Sequence, residues 1–215
     1  MDTRLQLRAS RSLTHCVLSG IASIGIASLL VFGMWAWAGG KLYRALTEGG
    51  TYALWAVVFI VVGAGGLRRI APRNVSAKKF FLIFLAAFGA YAFAWSAIWF
   101  AWQNRAGEWT AALVGTAAFC AVLCGAFKSW KFFPRATLVV FALHCAGYFA
   151  GGWMYDFVLG RAAIPFPPDL LGKSARADLS KLLWGVGYGV GFGAGIGYAF
   201  WECRDRTGEQ PPLTA

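Results

Sequence analysis

Residues 182–201 read LLWGVGYGVGFGAGIGYAFW, an uncharged stretch in which every second residue from Gly185 to Gly197 is glycine. In water such a helix would be weak, because each glycine costs about 1 kcal/mol relative to alanine. In the hydrocarbon core of a membrane, however, every backbone group needs a hydrogen-bond partner within the segment. About 20 helical residues cross such a core. The stretch therefore predicts a transmembrane helix.

The glycines of this helix fall on two faces, because successive residues of a helix are separated by about 100°. One face carries Gly185, Gly189, Gly193 and Gly197, and a nearly opposite face carries Gly187, Gly191 and Gly195. Small residues allow helices to approach closely in lipid. We therefore expect all seven glycines to serve packing, with this last helix at the centre between two close neighbours.

The residues before and after the glycine repeat exclude two functional interpretations of it. Val186-Gly187-Tyr188-Gly189 resembles the potassium-channel selectivity filter, whose backbone carbonyls replace the water shell of the ion. No separate pore helix precedes it, and the residues before Glu202 are too few for the inner helix of a pore. A phosphate-binding loop would need a lysine-serine pair in a strand-to-helix setting. Neither site is predicted.

The whole chain has the composition of a membrane protein. Hydrophobic residues make up 59% and charged residues 13%, and the mean hydropathy is +0.57. Continuous apolar runs of this length exclude a β-barrel, whose strands alternate. Six uncharged stretches are long enough to cross a bilayer: residues 12–40, 49–67, 80–104, 109–127, 136–155 and 182–201. They predict an all-α integral membrane protein, a bundle of about six transmembrane helices forming one polytopic domain over 1–215, with an outer loop at 161–181.

Lysine and arginine placement predicts the orientation of this bundle. With a cytoplasmic N-terminus the inner segments hold thirteen of these residues and the outer segments seven, so both termini are expected inside. The net charge of +11 then reflects topology and attraction to anionic lipid, and no nucleic-acid partner is predicted. The first apolar segment is longer than a cleaved signal. We expect an uncleaved helix in a bacterial cytoplasmic (inner) membrane.

The predicted outer half is rich in aromatic residues and contains three acids. Nine of the 11 tryptophans belong to it: Trp35, Trp37, Trp55, Trp95, Trp99, Trp102, Trp109, Trp153 and Trp184. Glu48, Glu108 and Asp156 lie at the outer ends of their helices. One interpretation is an outward-facing pocket with aromatic walls and a carboxylate rim, for an apolar or cationic ligand. The other is an aromatic belt with charged side chains reaching water.

The third segment carries two stripes at helical spacing. The first is aromatic and comprises Phe84, Phe88, Tyr91, Trp95, Trp99 and Trp102. The second is small and comprises Ala86, Ala90, Ala94, Ala97 and Ala101. Since small faces favour close helix packing in lipid, we expect the alanines to pack against neighbours. The aromatic stripe would then face lipid, another subunit, or a flat ligand such as a quinone, carotenoid or porphyrin, with no particular cofactor indicated.

His144 is an ionisable side chain deep in a predicted span, and such a residue is by default a candidate functional site. Tyr148 follows it one helical turn later. Cys120 and Cys124 share a face of the fourth helix, and Cys120 could approach His144 or Cys145 if the fourth and fifth helices are antiparallel neighbours. Cys120, Cys124 and His144 are therefore weak metal candidates, but their spacing matches no known metal motif, and no metal is predicted.

Catalytic motifs are absent from the sequence, which has no Gly-x-Ser-x-Gly, Cys-x-x-Cys or His-Glu-x-x-His pattern. We therefore predict a non-catalytic multi-pass membrane protein, either a tightly packed subunit or a binder of a small apolar or aromatic ligand in its outer half. The candidate ligand-binding residues are Glu48, Tyr91, Trp95, Trp99, Trp102, Glu108, His144, Tyr148 and Asp156.

A small-molecule or ion transporter, or a channel, is the alternative function. In it Glu48, Glu108 and Asp156 would form the entrance and His144 would relay protons. The expected partners are the lipid bilayer and, through the small-residue helix faces, further copies of this chain or other chains.

Overall fold

A computed structural model describes residues 12–72, 75–162, 167 and 170–204 of the chain, and within these ranges there is no β-strand. The α-helices are α1 (Leu13–Val58), α2 (Ala64–Leu67), α3 (Ala77–Trp102), α4 (Arg105–Ala126), α5 (Phe133–Leu159) and α6 (Lys173–Arg204). A π-helical turn, Phe59–Gly63, joins α1 to α2. Short 3-10 turns, Arg68–Ile70 and Trp130–Phe132, follow α2 and precede α5.

The helices confirm an all-α membrane protein. In the described part of the chain, four ranges are long and apolar enough to cross a membrane: Leu13–Ile70, Ala77–Trp102, Arg105–Ala126 and Trp130–Leu159. Helix α6 is not one of the four, although it contains the uncharged stretch 182–201. Glycine has a hydropathy close to zero. The alternating glycines therefore lower the mean hydropathy of residues 182–201, although that stretch carries no charge.

The first of these ranges contains a sharp break at Thr47. Its 58 residues would extend about 87 Å as one straight helix at 1.5 Å per residue, far beyond a hydrocarbon core of about 30 Å. Thr47 has non-helical dihedral angles, φ 63° and ψ 177°. A Cβ added at Gly63 would lie 2.9 Å from the Ile24 side chain. Residues 48–70, the second limb, therefore fold back along residues 13–46, the first limb.

Helix boundaries follow capping residues and helix propensity more closely than hydropathy. Ser76 and Asn104 cap α3 and α4 by accepting hydrogen bonds from Lys79 N at 3.2 Å and Gly107 N at 2.9 Å, which satisfies backbone donors at the helix start. Consequently both helices begin before the predicted spans at 80 and 109. The predicted outer loop 161–181 is likewise helical from Lys173 onward, whereas residues 163–166, 168 and 169 lie outside the described ranges.

Helix α6 lies between α1 and α5 and contacts them through its two glycine faces. Gly185, Gly189, Gly193 and Gly197 face α1, and Gly187, Gly191 and Gly195 face α5. A Cβ added at Gly193 would lie 2.6 Å from the carbonyl oxygen of Gly20, and one at Gly187 would lie 2.8 Å from Gly151 Cα. These are backbone atoms, so no side chain larger than hydrogen fits between the helices.

Close approach also allows hydrogen bonds between α6 and both neighbours. The Ser28 hydroxyl of α1 donates to the carbonyl oxygen of Gly185 at 2.7 Å. On the opposite side, the Trp184 indole N–H donates to the carbonyl oxygen of Tyr148, in α5, at 3.1 Å. Each bond satisfies a polar side chain inside an apolar bundle, where an unpaired donor is costly. The two bonds involve adjacent residues of α6, Trp184 and Gly185, so they hold the helix against α1 and α5 at the same level of the bundle.

The packing of α3 reverses the expectation for its two stripes. Phe84, Phe88 and Tyr91 are buried, and their rings pack against aromatic residues of α6, with Phe88 at 6.2 Å from Phe192 between ring centroids. The alanine stripe instead lies on the outside, where Ala86, Ala97 and Ala101 are exposed and Ala90 and Ala94 half-buried. The physical reason is that α6 turns its glycine faces toward α1 and α5 and its large side chains, such as Phe192 and Phe200, toward α3, so that rings pack against rings.

Candidate ligand pocket

A cavity of about 330 Å³ lies at the end of the bundle that contains Trp35, Trp55, Trp99 and Trp184. We call this end the tryptophan-rich end and the cavity the aromatic pocket. Both limbs of α1, the π turn, and α3, α4, α5 and α6 contribute to its walls. Thirteen of the 18 residues that line it are aromatic, so its interior is apolar and offers ring faces for stacking.

The break at Thr47 places both limbs of α1 around this pocket. The first limb contributes Phe32, Trp35 and Tyr43, and the second limb and π turn contribute Tyr52, Trp55 and Phe59. These rings also contact one another or other walls, with Tyr52 and Trp55 separated by 5.2 Å between centroids. The rings thus hold one another in place.

The floor of the pocket is a buried chain of three polar groups. The Tyr91 hydroxyl lies 2.8 Å from His144 Nε2 and 2.9 Å from the Tyr188 hydroxyl. His144 is fully buried, and its Nδ1 has no hydrogen-bond partner within the described part of the chain. The ring of Tyr148 stacks on that of His144, with centroids 6.0 Å apart and planes 8° apart. We call Tyr91, His144 and Tyr188 the polar floor.

Glu108 is the single acid among the described residues that line the pocket, and both of its carboxylate oxygens are engaged. One oxygen accepts a hydrogen bond from the Tyr148 hydroxyl at 3.2 Å. The other lies 3.4 Å from Nη1 of Arg105, which is largely exposed. The negative charge of Glu108 is therefore partly balanced before any ligand arrives.

A second, wider cavity of about 1140 Å³ lies between α4 and α5, and we call it the α4–α5 groove. It shares Trp99, Glu108, Tyr148 and Trp184 with the aromatic pocket, and it also contains Cys145 and Asp156. The hydrogen bond between Tyr148 and Glu108 consequently lies in the wall between the two spaces.

The structure brings together most, but not all, of the predicted ligand-binding residues. Tyr91, Trp95, Trp99, Glu108 and Tyr148 line the aromatic pocket, and His144 lies behind Tyr91. Glu48 is exposed next to the break at Thr47, and Trp102 is exposed at the end of α3. Asp156 is exposed and lines the α4–α5 groove. Glu108 and Asp156 therefore share the groove, whereas Glu48 lines neither cavity, because equal depth along a helix does not determine the face on which a residue lies.

Sequence reasoning also missed several pocket residues. Phe32, Tyr43, Tyr52, Phe59 and Tyr188 line the pocket but were not among the candidates. Aromatic residues three or four apart in other segments were the available signal. Phe32 and Trp35 show this spacing in the first limb, as do Trp55 and Phe59 in the second.

The cysteines do not form the suggested metal site. Across the described residues there is no group of three His, Cys, Asp or Glu side chains that could hold a metal ion, so Cys120, Cys124 and His144 do not converge as ligands. His144 is enclosed by aromatic rings, including Phe192 at 4.9 Å between centroids. Cys124 lies instead 3.6 Å from Cys203, sulfur to sulfur, joining α4 to α6.

We expect mild oxidation with copper phenanthroline to form a disulfide between Cys124 and Cys203. Their sulfurs, 3.6 Å apart, need to approach to about 2.05 Å. Mass spectrometry after N-ethylmaleimide treatment should show both cysteines protected, with Cys120 and Cys145 alkylated. Cys124→Ser should leave Cys203 free. A bond between any other pair, or none after exhaustive oxidation, would contradict this packing of α4 on α6.

Comparison of the chain with protein-family models, with curated proteins and with solved structures finds no match. The functional argument therefore rests on geometry: an apolar, helical membrane protein with an aromatic pocket that has a buried polar floor.

Proposed function

We propose that this protein is a non-catalytic multi-pass membrane protein that binds a small apolar or aromatic ligand in the aromatic pocket. The observation that carries the proposal is a pocket of about 330 Å³ lined mainly by aromatic side chains. Binding sites for small molecules are typically apolar clefts of about 300–1,000 Å³ with a few placed polar groups. The polar floor supplies such groups.

The proposed topology has six membrane crossings, with both termini on the cytoplasmic side of a bacterial inner membrane. Support comes from the fold-back at Thr47, the uncharged stretch within α6 and the excess of lysine and arginine in the predicted inner segments. The aromatic pocket then lies in the outer half. The exposed alanine stripe of α3 offers a small-residue face for lipid or for an oligomer partner.

Several features favour binding over the alternative of transport. A proton or ion path would need polar groups to continue from His144 toward the other end of the bundle. Beyond the polar floor Phe84, Phe119, Phe192 and Phe200 are buried, and the buried acid Glu202 accepts a hydrogen bond from Tyr198 rather than from a member of the floor. Only one of the three predicted entrance acids lines the pocket. A pocket whose one acid among the described lining residues is already paired fits a binder better than a relay.

Filling the pocket should abolish ligand binding without unfolding the protein. Ala92 lines the pocket, so Ala92→Trp would place an indole ring where the ligand is expected. Wild-type protein purified from native membranes should carry an apolar compound that organic extraction and mass spectrometry detect, and Ala92→Trp should carry at least tenfold less. Ala97→Trp is the matched control, because Ala97 belongs to the same helix but is exposed.

Two results would contradict the proposal. The first is equal retention of the compound by both variants. The second is a wild-type protein that carries no compound and also fails to bind 2-methylnaphthalene, a simple aromatic probe, in lipid nanodiscs.

A further inference from the structure

The direction of the hydrogen bonds in the polar floor can be worked out from one unpaired atom. Nδ1 of His144 is buried and has no partner in the described structure. If Tyr91 donated to His144 Nε2, a neutral ring would carry its proton on Nδ1 and leave a buried N–H unpaired. Orphaned buried N–H groups are rarer than under-satisfied acceptors. His144 therefore donates from Nε2 to Tyr91, and its Nδ1 is a bare lone pair.

This direction determines what Tyr188 presents to the pocket. Tyr91 has a single hydroxyl proton, and because it accepts from His144, it donates that proton to the Tyr188 oxygen 2.9 Å away. The hydroxyl proton of Tyr188 is then free to point elsewhere. Tyr188 lines the pocket and is 9% exposed. The floor thus offers a hydrogen-bond donor to whatever occupies the pocket.

A second donor belongs to a residue of the wall, although its nitrogen atom is enclosed and a ligand reaches it only if the ring shifts. The Trp55 indole N–H is buried without a partner in the described part of the chain, and Trp55 lines the same pocket. Indole nitrogen can donate but not accept, so only an acceptor can satisfy it. Trp55 precedes Phe59 by one helical turn, about 6 Å of rise, and the Phe59 ring contacts that of Tyr188 at 5.8 Å between centroids. The two donors therefore lie at different depths.

A cationic ligand is disfavoured by the same geometry. Tyr148 and Arg105 already engage both oxygens of Glu108, so a cation would compete with an existing partner for the only carboxylate among the described lining residues. Aromatic faces alone attract cations modestly. Two unpaired donors, by contrast, would be left facing a positive charge.

We infer that the ligand is a neutral flat ring compound that carries carbonyl acceptors, of the quinone class, with one carbonyl oxygen accepting from Tyr188 and another from Trp55. This inference rests on the proposed function, because it names the chemistry of the ligand in the same pocket. The aromatic walls select a flat apolar ring, and the two donors select carbonyl oxygens on it. A ligand without carbonyl oxygens would leave these buried donors unpaired, which lowers its affinity.

The test compares two probes that share a ring system. Menadione is a methylated naphthalene ring with two carbonyl groups, and 2-methylnaphthalene lacks them. Binding is measured by isothermal titration calorimetry of full-length protein in lipid nanodiscs, with empty nanodiscs subtracted. We expect both probes to bind and menadione to bind more tightly. Tyr188→Phe and Trp55→Phe should each lower the affinity for menadione about fivefold, the value of one hydrogen bond. The affinity for 2-methylnaphthalene should stay within twofold of wild type.

Tyr198→Phe is the control, because it removes a tyrosine hydroxyl from α6 outside the pocket and should change neither affinity. If neither probe binds to wild type, the proposed function itself fails. If both bind equally, or if the preference for menadione survives in Tyr188→Phe and Trp55→Phe, the pocket remains a binding site but the assignment of carbonyl recognition is overturned.

Discussion

Gly191→Ala is expected to lower the free energy of unfolding by about 1–3 kcal/mol, the usual cost of overpacking. The added methyl group would meet the carbonyl oxygen of Leu143 and would lie 2.6 Å from Gly147 Cα. Both are backbone atoms of α5, so relief requires the two helices to separate. The measurement is a denaturation titration in mixed micelles, together with the yield of monodisperse protein. Gly189→Leu and Gly193→Leu, with longer side chains facing α1, should abolish folded protein.

The matched control is Gly89→Ala in α3, where an added Cβ would have no atom within 4 Å. Alanine has the higher helix propensity, by about 1 kcal/mol, so this variant should be at least as stable as wild type. Val190→Leu provides a second control, since Val190 lies beside Gly191 in α6 and is 45% exposed. Equal stability of Gly191→Ala and Gly89→Ala would refute the steric role of the glycine faces.

His144→Ala is expected to cost about 3–5 kcal/mol of stability, from a cavity and from a lost hydrogen bond. The imidazole is fully buried, and its ring contacts Phe192 at 4.9 Å and Tyr188 at 5.5 Å between centroids. Its removal also leaves the Tyr91 hydroxyl without its partner on that side. The same denaturation titration measures this loss. Menadione affinity should fall as well, because Tyr188 would lose its orientation.

His144→Phe separates volume from polarity at this site. It retains a ring in the cavity and removes both ring nitrogens, of which only Nε2 has a hydrogen-bond partner in the described structure, so its loss of stability should be about half that of His144→Ala. Leu138→Ala is the control on the same helix, since Leu138 is 66% exposed. Wild-type stability for both His144 variants would mean that the polar floor does not hold the bundle together.

Some of these features were predictable because they depend on local chemistry. Glycines four apart necessarily share a helix face, so the contact of Gly193 with α1 and of Gly187 with α5 agrees with the predicted two-sided packing. A deep histidine needs a polar partner, and His144 has Tyr91. The candidates Tyr91, Trp95, Trp99, Glu108 and Tyr148 do surround one pocket, but the ligand itself stays a proposal.

Other features could not be predicted because they depend on which helices are neighbours. The alanine stripe of α3 was expected at a helix contact but lies outside, whereas Phe84 and Phe88 of the aromatic stripe meet Phe200 and Phe192 of α6. Glu48 shares a predicted depth with Glu108 and Asp156, but those two line the α4–α5 groove and Glu48 does not. Cys124 lies against Cys203 of α6, a contact that sequence spacing did not suggest, since it pointed only to Cys120 approaching α5.

The sequence by itself determined that this chain is an apolar, helical membrane protein whose last long helix can be approached closely from two sides. Composition and periodicity suffice for that, because solvation and helix geometry act on each segment alone. Only the tertiary structure decided that α1 and α5 are the two neighbours, and that Thr47 turns the second limb back toward α3. The aromatic pocket arises from that assembly, because its walls come from helices far apart in the chain.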